Sequence, residues 1–185
     1  MSATANAAIT FDGVTGAFPG VPCTEVGFTV TATQGTWVVG NLYGNPVPSI
    51  FVGPIGPPTP SIATIEVTGG TFAFTGLDVS SNDGPSTYSF TGFLGLAQVY
   101  SLAGAAPAEP RDDAVFINLT ALASGTTAVM DRLVITITPS EGVTSVNIDN
   151  IAVTPATVAV PEPAAVALLS FGLPCLAAAR RHKTA

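Results

Sequence analysis

Between residues 9 and 155 glycine and proline interrupt the chain about every eight to twelve residues, and the stretches between them alternate Thr, Val, Ile and Phe. Punctuation at that interval leaves no room for helices and restricts the chain to short strands joined by turns. The pattern predicts strands near 9–13, 26–33, 36–43, 62–68, 71–79, 87–93, 97–102, 114–120, 131–138 and 144–153. In the ninth of these, Leu133, Ile135 and Ile137 fall on one side while Val134, Thr136 and Thr138 fall on the other, as a half-buried strand requires. Phe28 with Val30, Phe72 with Phe74, and Tyr88 with Phe90 follow the same rule, and their inward faces are the expected core. The stretch is of ordinary single-domain length, so one all-β antiparallel domain is expected.

Two phase breaks interrupt the alternation. Val146 and Ile148 set one face, but Ile151 and Val153 continue it one position late, so an extra residue must be absorbed around Asp149 and Asn150. Phe72 and Phe74 likewise give way to Leu77 and Val79, which predicts a kink at Thr75-Gly76. These bulges re-aim Asp149 and Asp78, either as plain architectural bends or as parts of a site. Six prolines crowd Asn45–Ser61, which is therefore expected to be a stiff surface loop and not an interior strand. Ala103–Asp113 reads as a second loop, rich in Ala and Pro and acidic.

Charge and composition exclude several functions. The body carries only Arg111 and Arg132 as basic residues against eleven carboxylates, which excludes a cationic nucleic-acid footprint. The one imidazole, His182, lies near the C-terminus, so Ser-His or Cys-His catalysis and His/Cys zinc sites have no partner in the body. Cys23 stands alone there and is expected to be a buried thiol, with intermolecular pairing as the alternative. No glycine-rich phosphate loop precedes a helix. Carboxylate pairs for glycoside hydrolysis are available by count but carry no spacing signal.

The ends carry a different message. Residues 1–8 are small and resemble the cleavage region of a secretory signal, and residues 9–155 form the domain. Residues 156–163 form a linker ending in Val160-Pro161-Glu162-Pro163, residues 164–179 are an apolar run, and residues 180–185 begin with Arg180 and Arg181. That order resembles the PEP-CTERM sorting signal of exopolysaccharide-producing bacteria, in which a Pro-Glu-Pro motif precedes a hydrophobic helix and a basic cytoplasmic end. The resemblance implies an exosortase-type membrane protease as partner and transient insertion in the inner membrane of a Gram-negative bacterium. Release to the cell surface or extracellular matrix would follow. The run is short of the roughly 20 residues of a full span, and the basic cluster after it sets a cytoplasmic C-terminus.

Ile9-Thr-Phe-Asp-Gly13 and Val146-Asn-Ile-Asp-Asn-Ile-Ala-Val153 resemble the first and last strands of jelly-roll carbohydrate-binding and galactose-binding-like domains. The resemblance implies an antiparallel jelly-roll-like β sandwich, followed here by the C-terminal hydrophobic helix. It also implies a structural calcium shared by acids on the terminal strands, matched by Asp12 and Asp149 with Asn147 as helper. Ligand binding in such modules uses aromatic faces, for which Trp37, Tyr43, Tyr88 and Tyr100 are the candidates. The abundance of Thr and Ser and the low charge suit a non-catalytic surface or matrix protein with capacity for exopolysaccharide. A polysaccharide-acting enzyme using a carboxylate pair, and an adhesin or filament subunit with an exposed hydrophobic edge strand, are the alternatives.

Overall fold

A computed structural model describes residues 7–14, 21–52, 63–110, 115–120 and 128–156. The described residues form twelve strands and no helix: β1 (Ala7–Ile9), β2 (Cys23–Glu25), β3 (Phe28–Gln34), β4 (Trp37–Gly40), β5 (Ser49–Val52), β6 (Ala63–Asn82), β7 (Ser86–Leu94), β8 (Ala97–Ala106), β9 (Ala108–Glu109), β10 (Ile117–Thr120), β11 (Val129–Pro139) and β12 (Ser145–Pro155). All belong to one sheet, whose main path runs β4-β5-β12-β6-β11-β7-β8. Pairing is antiparallel throughout except for β6 with β9.

β6 organises the molecule. Its first part, up to Thr68, lies between β3 and β11, and its last part lies between β12 and β10. The predicted strands 62–68 and 71–79 are thus one strand of 20 residues, bent where Gly69 and Gly70 take φ of 141° and 83°. A side chain at position 69 would run into the Gly27 carbonyl oxygen and come within 2.8 Å of the Phe28 Cα, so the bend requires glycine. The two halves of the sheet share one core. Phe28 meets Phe72 edge-on at 5.3 Å, and Phe74 meets Phe90 at 5.5 Å and Tyr100 at 6.1 Å in the same manner.

The alternation read from the sequence is the one that packs. Leu133, Ile135 and Ile137 are fully buried, while Val134 and Thr136 are half-buried and Thr138 is exposed. Both phase breaks are present as register shifts between Asp149 and Ala152 and between Ala152 and Val153, opposite Gly76 and Phe74 of β6. Asn150 absorbs the extra residue at φ 49°, in the left-handed region that Asn tolerates better than most residues. Cys23 is buried and free, and desolvation pushes its thiol up to about 11, with Glu25 adding to the effect.

Four expectations need correction. Ala103–Asp113, expected as a loop, supplies the end of β8 through Ala106 and all of β9 at Ala108–Glu109. Ser49–Val52, inside the proline-rich stretch, is an interior strand between β4 and β12. Pro48 and Pro54 flank these four residues without entering them, so every N–H that the ladder needs is kept. The first strand ends at Ile9, since Phe11 takes φ 63° and the Val14 N–H closes a turn on the Phe11 carbonyl at 3.0 Å, which leaves Asp12 in that turn. Ala7 and Ala8, placed before the domain by sequence, pair with Val153 and Ala152 of β12. The predicted C-terminal helix lies outside the described residues.

Truncating a side chain on the buried face should cost far more than truncating its outward neighbour. Ile135→Ala is expected to lose about 2–5 kcal/mol in chemical denaturation, whereas Thr136→Ala stays within about 0.5 kcal/mol.

Candidate functional site

Two features outside the core concentrate polar groups: a sealed carboxylate pair on one half of the sheet and an open hydroxyl-bearing face on the other. The pair consists of Asp78 and Asp149, direct cross-strand partners on β6 and β12. The neighbouring Leu77, Val79 and Ile148 point into the core, so both acids face away from it. They are nonetheless buried, Asp149 at 0% and Asp78 at 4% exposure.

Carboxamides and backbone amides replace the lost water. The Asn45 backbone N–H donates to Asp149 Oδ2 at 2.6 Å and the Asn150 N–H to Oδ1 at 2.7 Å. Asp78 Oδ1 accepts from Asn118 Nδ2 at 3.0 Å, and Oδ2 accepts from Asn150 Nδ2 at 2.8 Å and Asn45 Nδ2 at 3.2 Å. Asn150 Nδ2 also donates to the Asn45 carbonyl at 2.5 Å, which ties the Asn41–Pro48 loop over the pair. Gly44 makes that loop possible, because a Cβ there would lie 2.5 Å from the Val47 Cα and 2.6 Å from the Pro46 oxygen. Burial raises the Asp149 carboxyl to about 6; the two backbone donors oppose the shift, and the charges of Asp78 and Asp12 add to it.

All four carboxylate oxygens accept hydrogen bonds, and neither acid is open to solvent, so this pair offers a sugar no approach. The residues that the calcium resemblance names lie in different settings. Asp12 is exposed and accepts from Thr10 Oγ1 at 3.0 Å. Asn147 shares the outward face with Asp149, buried at 1%, and its Nδ2 has no partner among the described residues. Calcium takes six to eight oxygens, and among the described residues no three His, Cys, Asp or Glu converge to hold a metal.

The aromatic candidates are not gathered into a platform. Trp37 is a core residue at 2% exposure, its Nε1 donating to the Gln34 carbonyl at 3.2 Å, because the strand beginning at Trp37 pairs with β5 and turns that residue inward. Tyr100 is buried at 7%, with its phenol raised by desolvation and by Tyr88. Tyr88 is half-buried and stacked on Phe90 at 4.8 Å, and Tyr43 is half-buried in the Asn41–Pro48 loop. Val160, Pro161, Glu162, Pro163, Arg180 and Arg181 lie outside the described residues.

The second feature was not predicted as a site. On the outward face of β3, β6, β11, β7 and β8, ladder register aligns side chains in rows. One row is Thr31, Glu66, Val134, Thr91 and Ser101; the next is Gln34, Thr64, Thr136, Ser89 and Ala103. Thr29 and Thr68 lie in a third row, and Thr87 and Thr138 in a fourth. Every one of these hydroxyl residues is half-buried or exposed. The face is electrically quiet: Arg132 Nη1 meets Glu66 Oε1 at 3.2 Å, and the guanidinium lies 4.1 Å from the Phe93 ring centroid.

No protein-family model matches the chain, and no curated protein matches it. Among solved structures it is similar to the K1 adhesin domain of Lys-gingipain from Porphyromonas gingivalis, at 11% identity and TM-score 0.49 over 83% of this chain and 99% of that one. It is similar to a family 29 carbohydrate-binding module, a D114A mutant of CBM29-2, at 13% identity and TM-score 0.44 over 86% and 97%. A third likeness is to the enzymatically active domain of bacteriophage CBA120 tailspike protein 4, at 17% identity and TM-score 0.44 over 69% of this chain; the chain spans only 19% of that protein. At such identities and scores these likenesses carry no functional argument.

The carboxylate pair makes a pH prediction. Because the folded-state value of Asp149 lies above its unfolded one, the folded protein binds more protons between about pH 4 and pH 6. Its contribution to stability therefore rises as pH falls through 6 and is lost above it. Thermal melts from pH 7.5 down to 5 should show Tm rising for the wild type and a flatter dependence for Asp149→Asn.

Proposed function

We propose that the protein is a non-catalytic surface or matrix protein that binds neutral polysaccharide on the hydroxyl-bearing face of its sheet. The carrying observation is that face: Thr64, Thr68, Thr87, Ser89, Thr91, Thr136 and Thr138 line up in ladder register around one internally neutralised ion pair. Each hydroxyl both donates and accepts, which matches the hydroxyls of a neutral sugar polymer. A surface without net charge neither attracts nor repels charged polymers strongly, so selection falls on hydrogen bonding. The sealed state of Asp78 and Asp149 favours the non-catalytic reading over an acid-pair enzyme.

The tail adds the address. We read Val160-Pro161-Glu162-Pro163, the apolar run and Arg180-Arg181 as a sorting signal cut by an exosortase-type protease, after which the body resides at the cell surface or in the exopolysaccharide matrix. Replacing Pro161, Glu162 and Pro163 by alanine should leave the tail uncut, seen as an unchanged intact mass of the exported protein.

Affinity electrophoresis in gels cast with neutral and acidic polysaccharides tests the binding face. Retardation is expected in neutral polysaccharide, insensitive to moderate salt and changed little by calcium or chelator. Removing three hydroxyls by Thr64→Ala, Thr91→Ala and Thr136→Ala together should weaken retention by at least about tenfold, since each hydrogen bond contributes about 0.5–1.5 kcal/mol. Thr36→Ala, on the turn between β3 and β4, should leave retention unchanged. Equal retention of the triple variant and the wild type would remove this face from the account.

A further inference from the structure

β8 ends the main path of the sheet: it pairs with β7 on one side and, among the described residues, with no strand on the other. Such an edge exposes a row of N–H and C=O groups that can template another strand, and natural proteins blunt it with shortness, lysine, proline or bulges. β8 uses little of this. It is 10 residues long, and from Leu94 to Ala108 the sequence contains no Asp, Glu, Lys, Arg or His. A single register shift, between Gly92 and Phe93, makes Val99 the extra residue and leaves Tyr100–Ala106 regular. The strand at the opposite end of the path, β4, has only four residues.

The apolar surface points to the same place. Leu94 is 41% exposed and Leu96 fully exposed at the turn of the β7–β8 hairpin, and Val99, 38% exposed, is the bulge residue just before the regular segment of β8. In a chain of net charge −7, the approach of a second copy meets little repulsion along this long edge, which bears no charge. The sequence of this edge also complements itself. In an antiparallel pairing centred on Ala103, Tyr100 lies opposite Ala106, Leu102 opposite Gly104 and Ser101 opposite Ala105, so each larger residue faces a smaller one.

We propose that β8 is a self-association edge, and that a second copy of this chain pairs with it antiparallel about a two-fold axis at Ala103, continuing the sheet across the dimer. The contact is isologous, so it closes at two subunits and does not propagate into a filament.

Sedimentation velocity of the full chain over a wide concentration range tests this. The wild type should populate a dimer as its largest species. Ala103→Lys, which sets two like charges against each other at the axis, should stay monomeric with an unchanged circular-dichroism spectrum. Using the full chain in both cases cancels any association through the tail. A second arm does not depend on that variant folding: Ala103→Cys in a Cys175→Ser background should form an interchain disulfide mapped to position 103, whereas Thr138→Cys, on the open face and away from the edge, should not. A wild type that is monomeric throughout, a dimer that survives Ala103→Lys, or equal cross-linking at positions 103 and 138 would overturn the proposal. Growth beyond the dimer through β8 would overturn the closed two-fold.

Discussion

The two halves of this sheet are joined by β6, which is paired on both sides along most of its length. β3, β9, β10, β11 and β12 all hydrogen-bond to it, and only the Gly69-Gly70 bend divides its service to one half of the sheet from its service to the other. A strand held that way has no rotational freedom, so the alternation of its side chains dictates which face of each neighbour turns inward. Val67, Phe72, Phe74, Leu77 and Val79 commit to the core. Glu66 and Thr68 on one side of the bend, and Asp78, Ser80 and Asn82 on the other, are then forced outward, and the two outward faces diverge in character: the first is open and hydroxyl-bearing, the second sealed.

The sealed face shows what burying charge requires. Two carboxylates side by side without a cation would be strongly unfavourable, and the fold offsets this with five N–H donors from Asn45, Asn118 and Asn150. Four of those contacts come from Asn45 in the loop and Asn150 at the bulge, which joins the closing strand, the central strand and the Asn41–Pro48 loop into one polar network. Its satisfied oxygens make the network a structural device that holds the loop to the two strands, in contrast to an exposed catalytic pair.

Much of the body was legible in the sequence because side-chain period and turn punctuation are local signals. The Leu133-Ile135-Ile137 face and the late phase of Ile151 and Val153 came from neighbours in sequence, and the buried thiol of Cys23 from its being the one cysteine of the body. What escaped was long-range. Six prolines around Ser49–Val52 signalled a loop, yet insertion of that segment between β4 and β12 is decided by a proline-free window and by tertiary pairing. Asp149 was recognised at its bulge, but its partners lie 104 residues away at Asn45 and across the ladder at Asp78, where no local spacing marks them. Asp12 was assigned to a strand that ends at Ile9, and Trp37, named as a ligand-binding candidate, is turned into the core by register. The threonines were visible as an abundance; their assembly into one face needed the register of five strands.

The central claim is that this face, and not the surface over the acid pair, meets the ligand. Amide chemical-shift mapping with a soluble neutral oligosaccharide tests it most directly. The account predicts perturbations that saturate together at Thr64, Thr68, Thr91 and Thr136, with Tyr43, Asn45 and Asp149 unmoved. Saturable shifts confined to the Asn41–Pro48 loop and Asp149, with the threonines silent, would contradict it.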